Sequence, residues 1–204
     1  MTLLLASTSP RRHDLLERLG VPFEVEPSGV DERDPEPNEN PAAYSLSLAR
    51  EKAGTVSRVH PNDWALAADT VVAVDGQILN KPVDAEDAAR MLRLLAGRRH
   101  EVTTSVVLQR GGERHEGWVT SPVVMPEIPE DEIQRYVATG EPMDKAGGYA
   151  VQGMGGRYVQ TVDGCYNAVV GLPLCLVAEL LVEVGMAASC SRICGETCRP
   201  VRVA

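Results

Sequence analysis

Short apolar runs that alternate with helical apolar stripes predict an α/β or α+β fold, a sheet covered by helices. Two turn signals between strand-like runs, Asp75-Gly76 and Gly111-Gly112, support that class, and no internal repeat argues for a solenoid. The 204 residues, 44% of them apolar, predict one domain or two closely packed lobes and exclude a disordered or collagen-like chain.

In chain order, Leu3 to Ala6 reads as a buried strand. Ser9 then serves as N-cap with Pro10 at the first helical position, and Leu15, Leu16 and Leu19 form a buried stripe before Gly20. Residues 24–40, acidic and rich in Pro and Asn, read as loop or irregular edge. Asn40-Pro41 opens a second helix to about Val59, striped by Leu46, Ala49, Ala53 and Val56. Trp64 to Val74 is a strand that turns at Asp75-Gly76 into Gln77 to Pro82. Asp84 caps a third helix, striped by Ala88, Met91, Leu92 and Leu95, and Gly97 ends it. Val102–Gln109 and Glu116–Met125 read as strands, Pro129–Thr139 as a short helix and 141–157 as glycine-rich loop. Tyr158–Val162 and Cys165–Val170 look like a further hairpin across Asp163-Gly164, and Leu172-Pro173 starts a last helix ending at Gly185.

With 20 basic and 29 acidic residues the net charge is −9, which repels a polyphosphate backbone, so nucleic acid is not an expected partner. Any anionic ligand must be met locally. The opening Leu3 to Ala6 is too short for a signal peptide, and no run approaches a membrane span, so no membrane partner and a cytoplasmic location are expected. Five cysteines, an odd count, read as reduced thiols and not as a secreted disulfide framework.

The Ser7-Thr8-Ser9-Pro10-Arg11-Arg12 turn joins a strand end to a helix start, offering hydroxyls, backbone N–H groups and two guanidinium groups to a phosphate. The same residues also suit ordinary capping with two solvated arginines. Only three of the 20 cations are lysines (Lys52, Lys81, Lys145), which marks them as places where a compact ammonium is required. Lys52 lies at the margin of a buried helix face, where it points into a cleft or snorkels to solvent. Asp69-Thr70 interrupts an apolar strand, and a carboxylate there needs a cation, a metal or a strand end facing a cleft. Extrapolating the hairpin register puts Lys81 beside Asp69, as a structural ion pair or as a carboxylate for water activation next to a phosphate-binding ammonium. Gly153-Met154-Gly155-Gly156 precedes a strand-like run, Arg157 to Val162, and so is neither a dinucleotide fingerprint nor a Walker loop. Gln152, just before it, can offer a donor and an acceptor to a base edge.

Ala6 to Arg12, Val30-Asp31-Glu32, Ala49 to Ala53, Ala68 to Val72, Lys81-Pro82, Gly97 with His100-Glu101-Val102, Asp144 to Gly147, Gln152-Gly153 and Val170 to Pro173 together resemble the Maf family of nucleoside triphosphate pyrophosphatases. The likeness covers about residues 2–187. It implies an elongated mixed β-sheet flanked by helices, with two lobes and a central cleft, similar to the inosine triphosphate pyrophosphatases. The implied reaction hydrolyses a nucleoside triphosphate to the monophosphate and diphosphate, with a divalent cation, Mg2+ or Mn2+, as cofactor. By the same resemblance Asp69 matches the proton acceptor, and Arg11, Thr70 and Gln152 match the specificity positions of the branch acting on dTTP and UTP, modified pyrimidine nucleotides being further candidates. The sister branch, acting on 7-methyl-GTP, resembles this chain less. Physical chemistry agrees: Asp69 supplies a base with Glu32 as its partner at the metal, while Ser7, Arg12, Lys52 and Lys81 meet the departing diphosphate. The rival reading is a nucleotide-binding regulator of cell division that turns nothing over, and a homodimer is an open alternative to a monomer. Residues 1–187 are expected to form the catalytic domain. Residues 188–204, in which Cys190, Cys194 and Cys198 recur every four positions, are expected to be a passive, mobile tail.

Overall fold

The computed structural model describes residues 2–188 and 198–203. The strands are β1 (Leu3–Leu5), β2 (Glu24–Val25), β3 (Trp64–Val74), β4 (Gln77–Leu79), β5 (Arg99–Arg110), β6 (Glu113–Val124), β7 (Thr161–Val162) and β8 (Val201–Arg202). The helices are α1 (Pro10–Glu17), α2 (Pro41–Val59), α3 (Ala85–Leu95), α4 (Glu130–Val137), α5 (Tyr166–Val170) and α6 (Leu174–Glu183), with three 3-10 turns between α4 and β7. The sheet is mixed, as expected: β1 runs parallel to β2 and β3, and all other pairs are antiparallel, in the order β2-β1-β3-β5-β6-β7 with β4 added to β3 and β8 to β6.

Local chemistry places the ends of these elements. Asn40 Oδ1 accepts from the Ala42 and Ala43 amides at the start of α2, and Asp84 Oδ1 accepts from the Asp87 amide at the start of α3. Asp75 (φ 50°) and Gly76 (φ 80°) both have positive φ, the conformation of a tight hairpin turn, and they set Val74 opposite Gln77.

Alternation along β3 divides the core. Ala65 and Ala67 face α2, where they pack with Ala49, Ala53 and Val56. On the other face Trp64, Leu66 and Ala68 join a cluster with α1 and α6, whereas Val72 and Val74 join a separate cluster with α3 and α4. The neighbouring strands repeat this division: Val106 and Leu108 against Val102 on β5, and Val119 against Val123 on β6. Between the two cores Thr70, Thr104 and Ser121 make a polar row. Thr104 Oγ1 donates to the Ala168 carbonyl (2.7 Å), and Ser121 Oγ accepts from the Cys165 amide (2.9 Å), so the row is satisfied by the backbone of α5.

Three expectations are corrected. Cys165–Val170 is not a hairpin strand: Tyr166–Val170 is the short helix α5, and β7 pairs with β6. Arg157 to Val162 is not one strand either, because Met154–Tyr158 winds into a 3-10 turn whose glycines lie against other backbone. The tail is docked where it is described. Val201 and Arg202 pair with Trp118 and Gly117, and Arg202 makes two hydrogen bonds to Glu183 (2.7 and 2.8 Å). A Cβ at Gly117 would strike the Val201 carbonyl, so the glycine makes room for this strand. Cys198 packs against the core, whereas Cys190 and Cys194 lie outside the described residues.

Candidate active site

The cleft arises from a gap in the sheet. β1 pairs with β3 only along Trp64–Leu66, and β4 pairs with it only along Val72–Val74, so the edge of β3 from Ala67 to Val71 has neither as a partner. Asp69 and Thr70 sit in the middle of that gap. A cleft of about 470 Å³ opens there, within the usual range of roughly 300–1,000 Å³ for small-molecule sites. The turn after β1, the loop before α2, the segment after β4 and the glycine-rich loops after α4 line it.

All three lysines of the chain line this one cleft. Lys52, from α2, is 6% exposed and donates to both Asp69 Oδ1 (2.6 Å) and Glu32 Oε1 (2.7 Å). Lys81 donates to the other oxygen of Glu32 (2.8 Å). The expected Lys81–Asp69 pair is therefore corrected: β4 ends at Leu79, so the hairpin register does not extend to Lys81, and Lys52 is the ammonium that meets Asp69. Burial pushes the Asp69 carboxyl above the usual aspartate value, and the attraction of Lys52 and Arg12 reduces that rise without cancelling it. For Glu32 burial also opposes the charge, but hydrogen bonds and attraction from Lys52 and Lys81 prevail and hold it at about 2. The two carboxylates thus differ in basicity. Asp69 is the more easily protonated of the two, and Glu32 is the one held in its charged form.

Arg12 spans the gap, donating from Nε to the Gly171 carbonyl (3.0 Å) and from its two terminal nitrogens to Ser7 Oγ (3.4 Å) and Thr70 Oγ1 (3.4 Å). Since the Thr104 hydroxyl proton goes to the Ala168 carbonyl, the Thr70 hydroxyl donates to Thr104 (2.9 Å) and accepts from Arg12. Burial lowers the Arg12 pKa, opposed by Asp69 and Glu32, and a guanidinium remains charged throughout. Ser7, Arg12, Lys52, Asp69, Thr70 and Lys81 are thus gathered as expected, with Glu32 beside them.

Arg11 and Gln152 also line the cleft, as do Asp144, Lys145 and Tyr149. Arg11 reaches Asp144 Oδ2 at 3.5 Å, and Lys145 also pairs with Asp144. Tyr149, which the sequence did not single out, is held from behind by a 2.8 Å hydrogen bond to buried His100. A histidine next to Val102 on the core-facing side of its strand was the available signal.

The donor set suits a hard divalent cation. Carboxylate oxygens of Glu32 and Asp69 already converge on one positive charge, the Lys52 ammonium, and ions of the Mg2+ class bind through one or two carboxylates with phosphate oxygens and water completing the shell. A different group, His13, Asp14 and Glu17, brings its ligand atoms within 4.8 Å of one another on the exposed side of α1. It lies outside the cleft lining. Among the described residues no helix is long and apolar enough to cross a membrane.

Comparison with known proteins gives the family. The family described as Maf-like protein matches residues 2–184. A dTTP/UTP pyrophosphatase of Thermomicrobium roseum is 48% identical over 189 residues, spanning 93% of this chain and 87% of that protein. Proteins of the same name from Anaeromyxobacter dehalogenans and Koribacter versatilis are 49% and 45% identical, spanning 90% and 91% of this chain and 94% and 96% of theirs. A solved nucleoside-triphosphatase, dITP/XTP pyrophosphatase, from Mycobacterium abscessus is similar at a TM-score of 0.40 and 20% identity, covering 63% of this chain and 76% of that one. With a match over nearly its whole length and relatives this close, the chain belongs to the Maf family.

Proposed function

We propose that this protein hydrolyses dTTP and UTP to the nucleoside monophosphate and diphosphate, in the cytoplasm, with Asp69 as the proton acceptor. The observation that carries the reading is the ion-pair chain Asp69–Lys52–Glu32–Lys81 at the gap in the sheet, buried at Asp69 and Lys52 and opening to solvent at Glu32 and Lys81, with Arg12 bonded to the neighbouring Thr70. The names of the relatives, dTTP/UTP pyrophosphatase, support the choice of substrate.

In this reading water attacks the α-phosphorus, its oxygen forms the new bond, and its proton passes to Asp69. The bond from the α-phosphorus to the bridging oxygen breaks, and that oxygen leaves with the diphosphate. Burial makes Asp69 a stronger base than an exposed aspartate, closer to working pH. Ser7, Arg12, Lys52 and Lys81 neutralise the charge that accumulates on the leaving group. Glu32 and Asp69 are the residues that would hold a divalent cation such as Mg2+ or Mn2+, which supplies further neutralisation of phosphate charge and acidifies water bound to it. Arg11, Thr70 and Gln152 select the base.

Incubation of the purified protein with dTTP or UTP and Mg2+ or Mn2+ tests the reading: diphosphate and monophosphate are released in equal amounts, and 7-methyl-GTP is a poor substrate. Binding without diphosphate release would favour the regulator instead. Replacing Gln152 by Glu removes an amide donor and leaves the phosphate cations in place. The expected result is affinity for dTTP and UTP weakened by at least ~10-fold, with inhibition by inorganic diphosphate changed by less than ~2-fold. Equal losses for both ligands would put Gln152 outside the base pocket.

A further inference from the structure

Gln152 stands on a loop whose two ends are tied to one pair, a buried tyrosine and a half-buried glutamate. Tyr136, on α4 and fully buried, donates its hydroxyl proton to Glu141 Oε2 (2.6 Å) and accepts from the Ala150 amide (3.2 Å). Glu141 in turn accepts from the Met154 amide through Oε1 (3.0 Å) and from the Gly155 amide through Oε2 (2.9 Å). One phenol and one carboxylate thereby hold the backbone on both sides of Val151-Gln152-Gly153. The loop lies so close that a Cβ at Gly153 would overlap the Glu141 carboxylate, and a Cβ at Gly155 would overlap the Tyr136 hydroxyl. The glycines left unexplained by any phosphate-loop pattern are thus accounted for by this approach.

Glu141 also begins the 3-10 turn Glu141–Asp144, and the other end of that turn carries Asp144, the partner of Arg11. A four-residue turn therefore connects the supports of Gln152 and of Arg11, both of which line the cleft. Although burial opposes its charge, hydrogen bonds from Tyr136, Gly155 and Met154 keep the Glu141 carboxyl below its usual value, an acceptor for all three donors.

We infer that Glu141, with Tyr136, is a positioning residue for nucleobase selectivity, fixing the Gln152 loop and the Arg11 partner in one frame. Neither side chain is among those lining the cleft, so the effect passes through the loop backbone. The inference rests on the proposed pyrimidine-triphosphate reading. The test measures dissociation constants of the full chain for dTTP, GTP and inorganic diphosphate, and exchange of the Met154 and Gly155 amides, in Glu141→Gln, Tyr136→Phe and Gln152→Ala. Glu141→Gln replaces an acceptor oxygen by an NH2 group, and Tyr136→Phe keeps the ring while losing the hydroxyl. Both are expected to lower the dTTP-over-GTP preference by at least ~10-fold, to speed exchange of the two amides, and to leave diphosphate affinity within ~2-fold. An unchanged preference in folded Glu141→Gln, or in Tyr136→Phe if the first variant does not fold, overturns the positioning role; if Gln152→Ala still collapses the preference, the pyrimidine reading survives. No preference in the unsubstituted protein, or none lost in Gln152→Ala, overturns both.

Discussion

Replacing Asp69 by Asn is expected to lower turnover by at least ~100-fold, the scale of losing a positioned base, while the fold stands. The amide keeps the shape but cannot take a proton. The fold survives for a reason legible in the electrostatics. Asp69 has a folded-state pKa above its unfolded value, so its protonated form stabilises the native state at pH below the unfolded pKa, and that contribution is lost as pH rises through the folded value. Ionising the buried carboxylate is therefore a cost, which Asn removes, while Lys52 keeps Glu32 as its partner. Thermal unfolding at pH 7.5 should show the Asn variant no less stable than the unsubstituted protein, with the difference narrowing on acidification. In the active enzyme the acid limb of kcat/KM should lie above the ordinary carboxylate range. Near-normal turnover in the folded variant would remove Asp69 from the reaction.

Lys52→Met is expected to damage stability and turnover together. The methionine keeps an apolar stem of similar length but strips the one ammonium shared by two carboxylates, leaving Asp69, 4% exposed, without the cation that meets it. Breaking a buried ion pair by removing one partner costs about 3–5 kcal/mol, on the order of 10 °C in Tm for a domain of this size. Without Lys52, Asp69 is pushed further up. The cost should shrink as pH falls, because a protonated Asp69 needs no cation, and the acid limb of kcat/KM should move to higher pH. A Tm unchanged at pH 7.5 would mean that the pair contributes nothing, contrary to its burial.

The parts of the fold that could be read from sequence are those where one residue type has one local consequence. Asn40 and Asp84 cap helices by accepting amide protons, and Asp75-Gly76 turns a hairpin with Val74 opposite Gln77. The register extrapolated past Leu79 failed because strand pairing stops there, which a period-2 pattern cannot reveal. Cys165–Val170 is too short for either period to be distinguished, and the bonds that decide it, from Thr104 and Ser121, come from distant strands. In the cleft, the residues that meet charge were legible by type: Arg12, Lys52, Asp69 and Lys81 are expensive or unusual where they stand. Which ammonium meets which carboxylate depends on how α2 lies on β3, and no local pattern singled out Glu141, whose partners come from α4 and the later glycine-rich loop.

The long strands also set the mechanics of the cleft. β3, β5 and β6 each run unbroken from beneath one apolar core to beneath the other, and the polar row Thr70, Thr104 and Ser121 marks only a change of side chain, not a break in the ladder. The two lobes are thus joined by three stiff, hydrogen-bonded beams and not by loops alone, and the angle between them cannot change without bending the beams. Width across the gap is accordingly a property of sheet curvature, fixed when the chain folds. A triphosphate enters a jaw that is already set, and adjustment on binding falls to the loops at its rim.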